Sequence, residues 1–266
     1  MYHSVSEHLD DHLHPYYRTV TTPERFEQQM CFLSQSGYEV LTLSEAVRLL
    51  QEMSLSNKSS QEKSTSVKSF NYQRPVAVIT FDDGLRDFYT TAFPILEKFA
   101  FKATVFLTSG LINKTFLTGY ECLKVQEIKE LVKSNVEFGS HTVNHPQLKK
   151  LSKDEIVYEL IKSKQMIEEI IGYPVSLFSY PYRFPEENAA FTKMFGMILS
   201  DHGYTAGVTT SIGLSTVDDI PLFLRRLPVN DCDDLQFFRA KLAGCYDWLH
   251  KGQLTYKRLR AILCNY

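Results

Sequence analysis

Apolar residues along this chain occur in two patterns, which predict alternating strands and helices. Short apolar runs are typical of strands, and apolar positions that recur every three or four residues are typical of amphipathic helices. The predicted strands lie at 38–43, 76–81, 102–107, 136–140, 175–180, 204–209 and 222–229. The predicted helices lie at about 23–36, 44–50, 85–99, 121–134, 153–171, 187–201 and 237–249.

The order of these elements favours an α/β fold. Strand, helix and strand follow one another with short connections, which indicates a parallel sheet or barrel. From 54 to 73 the chain is rich in Ser, Lys, Gln and Asn, so we predict a flexible polar insertion there. A length of 266 residues fits one large α/β domain or two small ones. We interpret the insertion as a surface segment and predict one domain over residues 1–266.

Composition and charge argue against two classes of partner. Hydrophobic residues make up 44% of the chain and charged residues 23%, as in ordinary globular proteins. The formal net charge of -2 provides no basic surface for nucleic acid or anionic lipid. No apolar run approaches the roughly 20 residues of a membrane helix, so no integral membrane segment is predicted.

The N-terminus and the cysteines predict a compartment. The first residues contain neither a basic region nor an apolar region of a secretory signal, so the chain as written is predicted to be cytoplasmic. A longer chain with an upstream leader would instead be extracytoplasmic. The cysteines are odd in number, widely spaced and without a Cys-x-x-Cys pair, so we expect reduced thiols. They are Cys31, Cys122, Cys232, Cys245 and Cys264.

Two adjacent carboxylates, Asp82 and Asp83, end the predicted strand at 76–81. Parallel α/β folds place their chemistry at the carboxyl ends of strands. Successive strand side chains point in opposite directions, so the two aspartates are expected to have different roles. Gly84 follows and allows a sharp turn.

His141 and His145 follow another predicted strand. Two imidazoles and one carboxylate are a common protein ligand set for zinc, with a position left for water. Either aspartate can supply the carboxylate, and the other can act as a general base. A His-x-x-x-His pair alone is usually structural. Together with Asp-Asp-Gly at a second strand end, it favours a metal-dependent hydrolase.

Three segments resemble the signature motifs of the polysaccharide deacetylases (NodB-homology domain, carbohydrate esterase family 4). They are Thr-Phe-Asp-Asp-Gly at 80–84, Ser-His-Thr-Val-Asn-His at 140–145 and Phe-Ser-Tyr-Pro-Tyr at 178–182. Tyr-His at 2–3 and Arg-Leu-Pro-Val at 226–229 extend the likeness to most of the chain. The resemblance implies a distorted (β/α) barrel of about seven parallel strands, like those of glycoside hydrolases and deacetylases. It also implies a divalent metal cofactor, Zn²⁺ in the first place, with Co²⁺ or Ni²⁺ as alternatives.

The resemblance assigns roles to individual residues. It implies that Asp83, His141 and His145 are the metal ligands and that Asp82 is the general base, which agrees with the alternation of strand side chains. The backbone N–H of Tyr182 corresponds to the family's oxyanion donor.

Two positions depart from the family pattern. The third motif is usually Arg-x-Pro-Tyr, whose arginine orients the base, but this chain has Ser179 there. We expect Arg226, or else Arg225, to provide the missing cation. The family's C-terminal Leu-x-His, which provides the general acid, is also missing. Some members resemble circular permutants that carry an apolar-Tyr-His segment at the N-terminus, and this arrangement implies that His3 is the general acid.

The sequence therefore predicts a metal-dependent hydrolase that removes N-acetyl groups from an N-acetylated glycan or glycan precursor in cell-surface polysaccharide metabolism. The predicted partner is that glycan. Two alternatives remain at this point. The same site can hydrolyse another non-peptide amide, or the protein can be a non-catalytic glycan-binding or scaffold member of the family.

Overall fold

The computed structural model describes residues 1–8, 14, 18–62 and 74–263. Its strands are β1 (Ser4–Val5), β2 (Val20–Thr21), β3 (Glu39–Leu41), β4 (Val76–Val78), β5 (Thr80–Phe81), β6 (Ala103–Leu107), β7 (Val136–Ser140), β8 (Leu177–Ser179), β9 (Ala206–Ile212) and β10 (Leu224–Arg226). Its α-helices are α1 (Pro23–Gln35), α2 (Leu43–Glu62), α3 (Phe93–Lys98), α4 (Val125–Leu131), α5 (Lys153–Ile171), α6 (Ala189–Asp201), α7 (Leu235–Leu242) and α8 (Asp247–Leu263).

The predicted α/β class is confirmed by a parallel sheet of six strands in the spatial order β10-β9-β8-β7-β6-β5. Strands that follow one another in the chain are neighbours in the sheet, which curls into a half-barrel. The pairs β1–β2 and β3–β4 are parallel as well and form two small separate sheets. Because all strands of the main sheet run the same way, their carboxyl ends meet at one face.

Met1 and Tyr2 lie between the two edges of the main sheet. Tyr2 forms a parallel bridge with Phe81 of β5. On the other side, the N–H of Val229 donates to the carbonyl of Met1 at 3.0 Å. The Met1 nitrogen donates to the carbonyl of Leu227 at 2.9 Å. These two residues therefore connect β5 with the chain after β10, where a seventh strand would close the barrel.

A cluster of buried side chains fastens Tyr2 to the sheet. Its ring lies 5.0 Å from the ring of Phe26 in α1 and 5.4 Å from that of Phe81. Its hydroxyl donates to Oε1 of Gln29 at 2.8 Å, and Gln29 is fully buried. Packing on both sides of the sheet edge therefore fixes the residue that directly precedes His3.

Residues 54–62, predicted as the beginning of a flexible insertion, instead continue α2 to Glu62. These residues are compatible with a helix, and extending an existing helix is much easier than nucleating one. The rest of the predicted insertion, 63–73, lies outside the described residues.

The helix predicted over 85–99 is divided by an irregular turn. A π-helix over Phe88–Ala92 precedes α3, which has Pro94 in its first turn. Pro94 has no N–H to donate to the carbonyl four residues earlier, so a regular α-helix does not continue through it. The wider π turn accommodates this break.

Two further observations concern the membrane and cysteine predictions. Within the described ranges, no helix has both the length and the apolar character needed to cross a bilayer. The described cysteines, at 31, 122, 232 and 245, are free thiols. Cys264 lies outside the described residues.

Substitutions of Tyr2 test the anchoring of the N-terminal segment. Tyr2→Phe leaves the buried Oε1 of Gln29 without its donor, so we expect the free energy of unfolding to fall by about 1–3 kcal/mol. Tyr2→Ala also removes the ring and should lower it by about 3–5 kcal/mol. Urea denaturation measures both. Tyr158→Phe removes an exposed hydroxyl and should change stability by less than about 0.5 kcal/mol. Wild-type stability in Tyr2→Phe would contradict the role of this hydrogen bond.

Candidate active site

The residues predicted as metal ligands come together at the carboxyl ends of β5 and β7. One ligand atom from each of Asp83, His141 and His145 lies within 4.8 Å of the others. Oδ1 of Asp83 is 3.4 Å from Nε2 of both histidines. Asp83 and His141 are buried, and His145 is largely so. This convergence follows from the parallel sheet, in which neighbouring strand ends open onto the same face.

The chemistry of this cluster fits a bound divalent ion. Oδ1 of Asp83 is buried and accepts no hydrogen bond among the described residues, which is costly for a carboxylate oxygen. Nδ1 of His141 is 2.8 Å from the carbonyl of Ser179, and this contact turns Nε2 towards Asp83. Metal-bound histidines are usually oriented by such a contact on the second nitrogen. One carboxylate and two imidazoles are also a ligand set that zinc prefers.

The protonation tendencies of two of the three ligands, Asp83 and His145, are compatible with this fit. At His141 burial opposes charge, but Asp82 and Asp83 raise the pKa, so an ion bound there would have to displace a proton. Burial opposes charge on Asp83, but contacts with His141 and the charges of His3 and His145 lower the pKa of its carboxyl. Burial and the nearby His141 lower the pKa of His145 to about 4. Asp83 is thus an anion and His145 a neutral base at neutral pH, the forms that bind a metal ion.

The backbone around the cluster adopts left-handed conformations that non-glycine residues usually avoid. The φ angles are 72° at Asp83, 69° at Thr142, 54° at His145 and 57° at Tyr182. Gly84 has a φ of 69°, and a Cβ there would lie 2.8 Å from a side-chain carbon of β6. Such strain persists only where the surrounding structure imposes it, and it is common at functional sites.

Glu159 of α5 holds the loop between the two histidines. This glutamate is 6% exposed. Its carboxylate accepts hydrogen bonds from the backbone N–H of Val143 at 2.7 Å and of Asn144 at 3.0 Å, and from the Asn144 side chain at 2.7 Å. One turn further along α5, Ser163 donates to the carbonyl of Thr142 at 3.0 Å. Helix α5 thus supports the strained backbone that carries His145.

The sequence analysis missed Glu159, although a signal was present. Ile156, Leu160 and Ile167 form the buried stripe of α5, and Glu159 lies within that stripe rather than on the exposed face. A carboxylate on the apolar side of a helix needs a buried partner. The sequence does not say which segment supplies that partner.

Arg226, the cation expected beside Asp82, makes a two-pronged ion pair with that carboxylate. Nη1 and Nη2 each lie 2.7 Å from a different oxygen of the carboxylate. Nη2 also donates to Oγ of Ser179 at 3.1 Å, and that hydroxyl donates to Asp82 at 3.1 Å. The other arginine considered, Arg225, instead pairs with Asp219 at 3.1 Å. The structure therefore selects Arg226 as the cation beside Asp82.

The ion pair decides the charge of Asp82. Burial alone would raise the pKa of this carboxyl, but Arg226, together with His141, holds the pKa well below its usual range. Asp82 is therefore ionised at neutral pH and able to accept a proton. A carboxylate so stabilised is a weak base, so it can deprotonate water only if that water is made more acidic. A divalent ion held by the neighbouring Asp83, His141 and His145 would supply that acidity.

The other two predicted residues also lie at this face. His3 is half-buried and interacts electrostatically with Asp83 and Asp82. Burial lowers the pKa of His3 although the two carboxylates oppose the shift, so its imidazolium is a stronger proton donor than usual but is less populated at neutral pH. Tyr182 is 44% exposed, and its ring lies 4.5 Å from that of His145.

Comparison with known proteins agrees with this geometry. The profile of the family described as polysaccharide deacetylase matches residues 71–207. Protein YxkH of Bacillus subtilis (strain 168), named after the polysaccharide deacetylases, is 30% identical over 233 residues, which cover 86% of this chain and 70% of that protein. The poly-beta-1,6-N-acetyl-D-glucosamine N-deacetylase of Staphylococcus aureus (strain MSSA476) is 29% identical over 113 residues, 39% of each chain.

Solved structures share the fold over most of the chain. The Streptococcus pyogenes deacetylase PplD, in complex with acetate, superposes with a TM-score of 0.72 and 26% identity over 91% of this chain and 96% of that one. IcaB from Ammonifex degensii superposes with a TM-score of 0.67 and 22% identity over 91% and 94% of the two chains. At that identity, the second match is evidence for the fold alone.

Glu159→Gln tests the support of the histidine loop. The substitution keeps the size of the side chain but places an N–H₂ donor against the N–H groups of the loop. We expect the affinity of the metal-free protein for Zn²⁺ to fall about 10- to 100-fold, as measured by isothermal titration calorimetry. Glu169→Gln changes an exposed glutamate of the same helix and should leave the affinity unchanged. Wild-type affinity in Glu159→Gln would show that the loop needs no such support.

Proposed function

The chain belongs to the polysaccharide deacetylase family, and we propose that it hydrolyses N-acetyl groups of an N-acetylated glycan or glycan precursor in cell-surface polysaccharide metabolism. One observation carries the proposal: the cluster of Asp83, His141 and His145 lies beside an ionised Asp82. The Staphylococcus aureus relative is named for a polymer of N-acetyl-D-glucosamine. An N-acetylglucosamine polymer or its precursor is therefore the substrate class that we favour.

Asp83, His141 and His145 would hold a divalent ion, which we propose is Zn²⁺, with Co²⁺ or Ni²⁺ as substitutes. Such an ion lowers the pKa of a water molecule to about 7 and polarises the acetyl carbonyl. The remaining residues then have separate tasks, as their positions around the cluster allow.

Asp82 accepts the proton of the attacking water, with both carboxylate oxygens held in place by Arg226. The backbone N–H of Tyr182 donates to the acetyl oxygen as that oxygen becomes negative. His3 gives a proton to the leaving nitrogen while the carbon–nitrogen bond breaks. The products are acetate and a free amino sugar.

Two observations count against the alternative of a non-catalytic member. Arg226 contacts both oxygens of Asp82 although the motif arginine is missing, and Tyr2, the residue before His3, is paired and buried. We also propose that residues 1–266 form one domain, because one buried cluster includes residues from Tyr2 to Phe238. The cytoplasmic location stays a prediction from the sequence.

Asp82→Asn tests the reaction. We expect acetate release from N-acetylglucosamine oligomers to fall about 10²- to 10⁴-fold, because the variant lacks a proton acceptor. Zinc content, measured by atomic absorption, should equal that of the wild type. Asp83→Asn is the contrasting variant and should lose zinc and activity together. A zinc-loaded wild type that cleaves small amides but not the oligomers would favour the other amide hydrolase, and undiminished activity in Asp82→Asn would refute the mechanism.

Arg226→Lys tests how the base is oriented. Lysine keeps the positive charge but lacks the planar fork that binds both oxygens of Asp82. We expect kcat for deacetylation to fall by about tenfold or more while zinc affinity is retained. Arg225→Lys is the matched control, since its neighbour Asp219 is not part of the site, and its kcat should stay within about twofold of the wild type. Equal losses in the two variants would contradict the assignment of Arg226.

A further inference from the structure

His3 lies between two residues whose side chains are both buried and hydrogen-bonded. On one side, Tyr2 packs on Phe81, and its carbonyl accepts from the N–H of Asp82 at 3.1 Å. On the other side, Ser4 is 1% exposed, and its hydroxyl donates to Oδ2 of Asp87. Both neighbours have buried side chains, whereas His3 is half-buried and interacts electrostatically with Asp83 and Asp82.

Asp87 connects this segment to the chain that leaves the active site. It directly precedes the π-helix over Phe88–Ala92, four residues after the metal ligand Asp83. Burial raises the pKa of Asp87 to about 6, opposed by hydrogen bonds from the Ser4 hydroxyl and the backbone N–H of Val5. This carboxyl has no part in the mechanism described above.

Tyr2 anchors the chain before His3, and the hydrogen bond between Ser4 and Asp87 anchors it after His3. Strand β1 pairs with β2 over only two residues, Ser4 with Val20 and Val5 with Thr21. Strand side chains alternate between faces, so a slip by one residue would turn His3 away from the site. Apolar packing tolerates small slips, whereas the hydrogen bond from Ser4 to the carboxyl of Asp87 is directional. Replacing both Ser4 and Asp87 by apolar groups would cost little stability. Stability alone therefore does not explain why position 87 carries a carboxyl group.

We propose that Asp87 is a positioning residue for the reaction. Through Ser4 it fixes the register of β1 and so keeps His3 facing the leaving nitrogen. The inference rests on the proposed function, in which His3 protonates the departing amine.

The chemistry of the leaving group separates this role from a merely structural one. An amine leaves an amide only after it has been protonated, so amide cleavage depends on a correctly placed acid. The 4-nitrophenolate of 4-nitrophenyl acetate leaves as a stable anion and needs no proton. Hydrolysis of this ester at the same site therefore reports an intact fold and metal site without reporting on His3.

The experiment compares Asp87→Asn and Ser4→Ala with the wild type, all loaded with Zn²⁺. We expect kcat for acetate release from N-acetylglucosamine oligomers to fall by about tenfold or more, since general acid catalysis contributes about 10²- to 10⁴-fold. Ester hydrolysis should stay within about twofold of the wild type. Asp154→Asn, an exposed aspartate of α5, should change neither rate. Ser4→Ala keeps the test usable if Asp87→Asn folds poorly.

A double-mutant cycle sharpens the test. His3→Ala should show the same selective loss, and adding Asp87→Asn to it should cause no further loss, because both act through one imidazole. Parallel loss of amide and ester hydrolysis, or no loss of either, would overturn the inference. So would additive losses in the cycle. If His3→Ala deacetylates normally while Asp82→Asn does not, the inference fails and the proposed function survives. A wild type that releases no acetate refutes both.

Discussion

The buried ion pair between Asp82 and Arg226 joins the two edges of the main sheet. Asp82 directly follows β5 and Arg226 ends β10, and these strands are the first and last in the spatial order. Removing one member of a buried pair leaves an uncompensated charge, which typically costs about 3–5 kcal/mol. The same contact therefore helps to hold the curled sheet together and orients the carboxylate that we propose accepts the proton. In the proposed mechanism, stability and catalysis thus depend on one pair of side chains.

The ion pair also explains how the chain can lack the arginine of its family's third motif and still have a guanidinium beside Asp82. A guanidinium binds a carboxylate through a planar fork. The arginine can therefore come from any strand that brings this fork to the base. Here β10 supplies it, while Ser179 on β8 retains a hydroxyl in contact with both partners. The N-terminal segment shows the same independence of chain order, because it lies beside β5 although the two are about eighty residues apart.

The rest of the site has a strained backbone, and the loop between the two histidines is held by a residue that touches no substrate in the proposed mechanism. Asp83, Thr142, His145 and Tyr182 adopt left-handed backbone conformations, each unfavourable on its own. The buried carboxylate of Glu159 accepts hydrogen bonds from the backbone N–H groups of the loop that precedes His145. A metal site requires its ligands to converge within a few tenths of an ångström, so the surrounding hydrogen bonds matter as much as the ligands themselves.

Local patterns in the sequence determined where most strands and helices lie and which side chains follow the strands of the site. Apolar runs placed the aspartates after β5 and the histidines after β7, because periodicity and strand alternation are properties of neighbouring residues. The α/β class and the metal cluster follow from these patterns. Tertiary structure decided between Arg226 and Arg225, and it decided the partners of Glu159 and Asp87. Those contacts join residues far apart in the chain, so they exist only once packing has brought distant faces together.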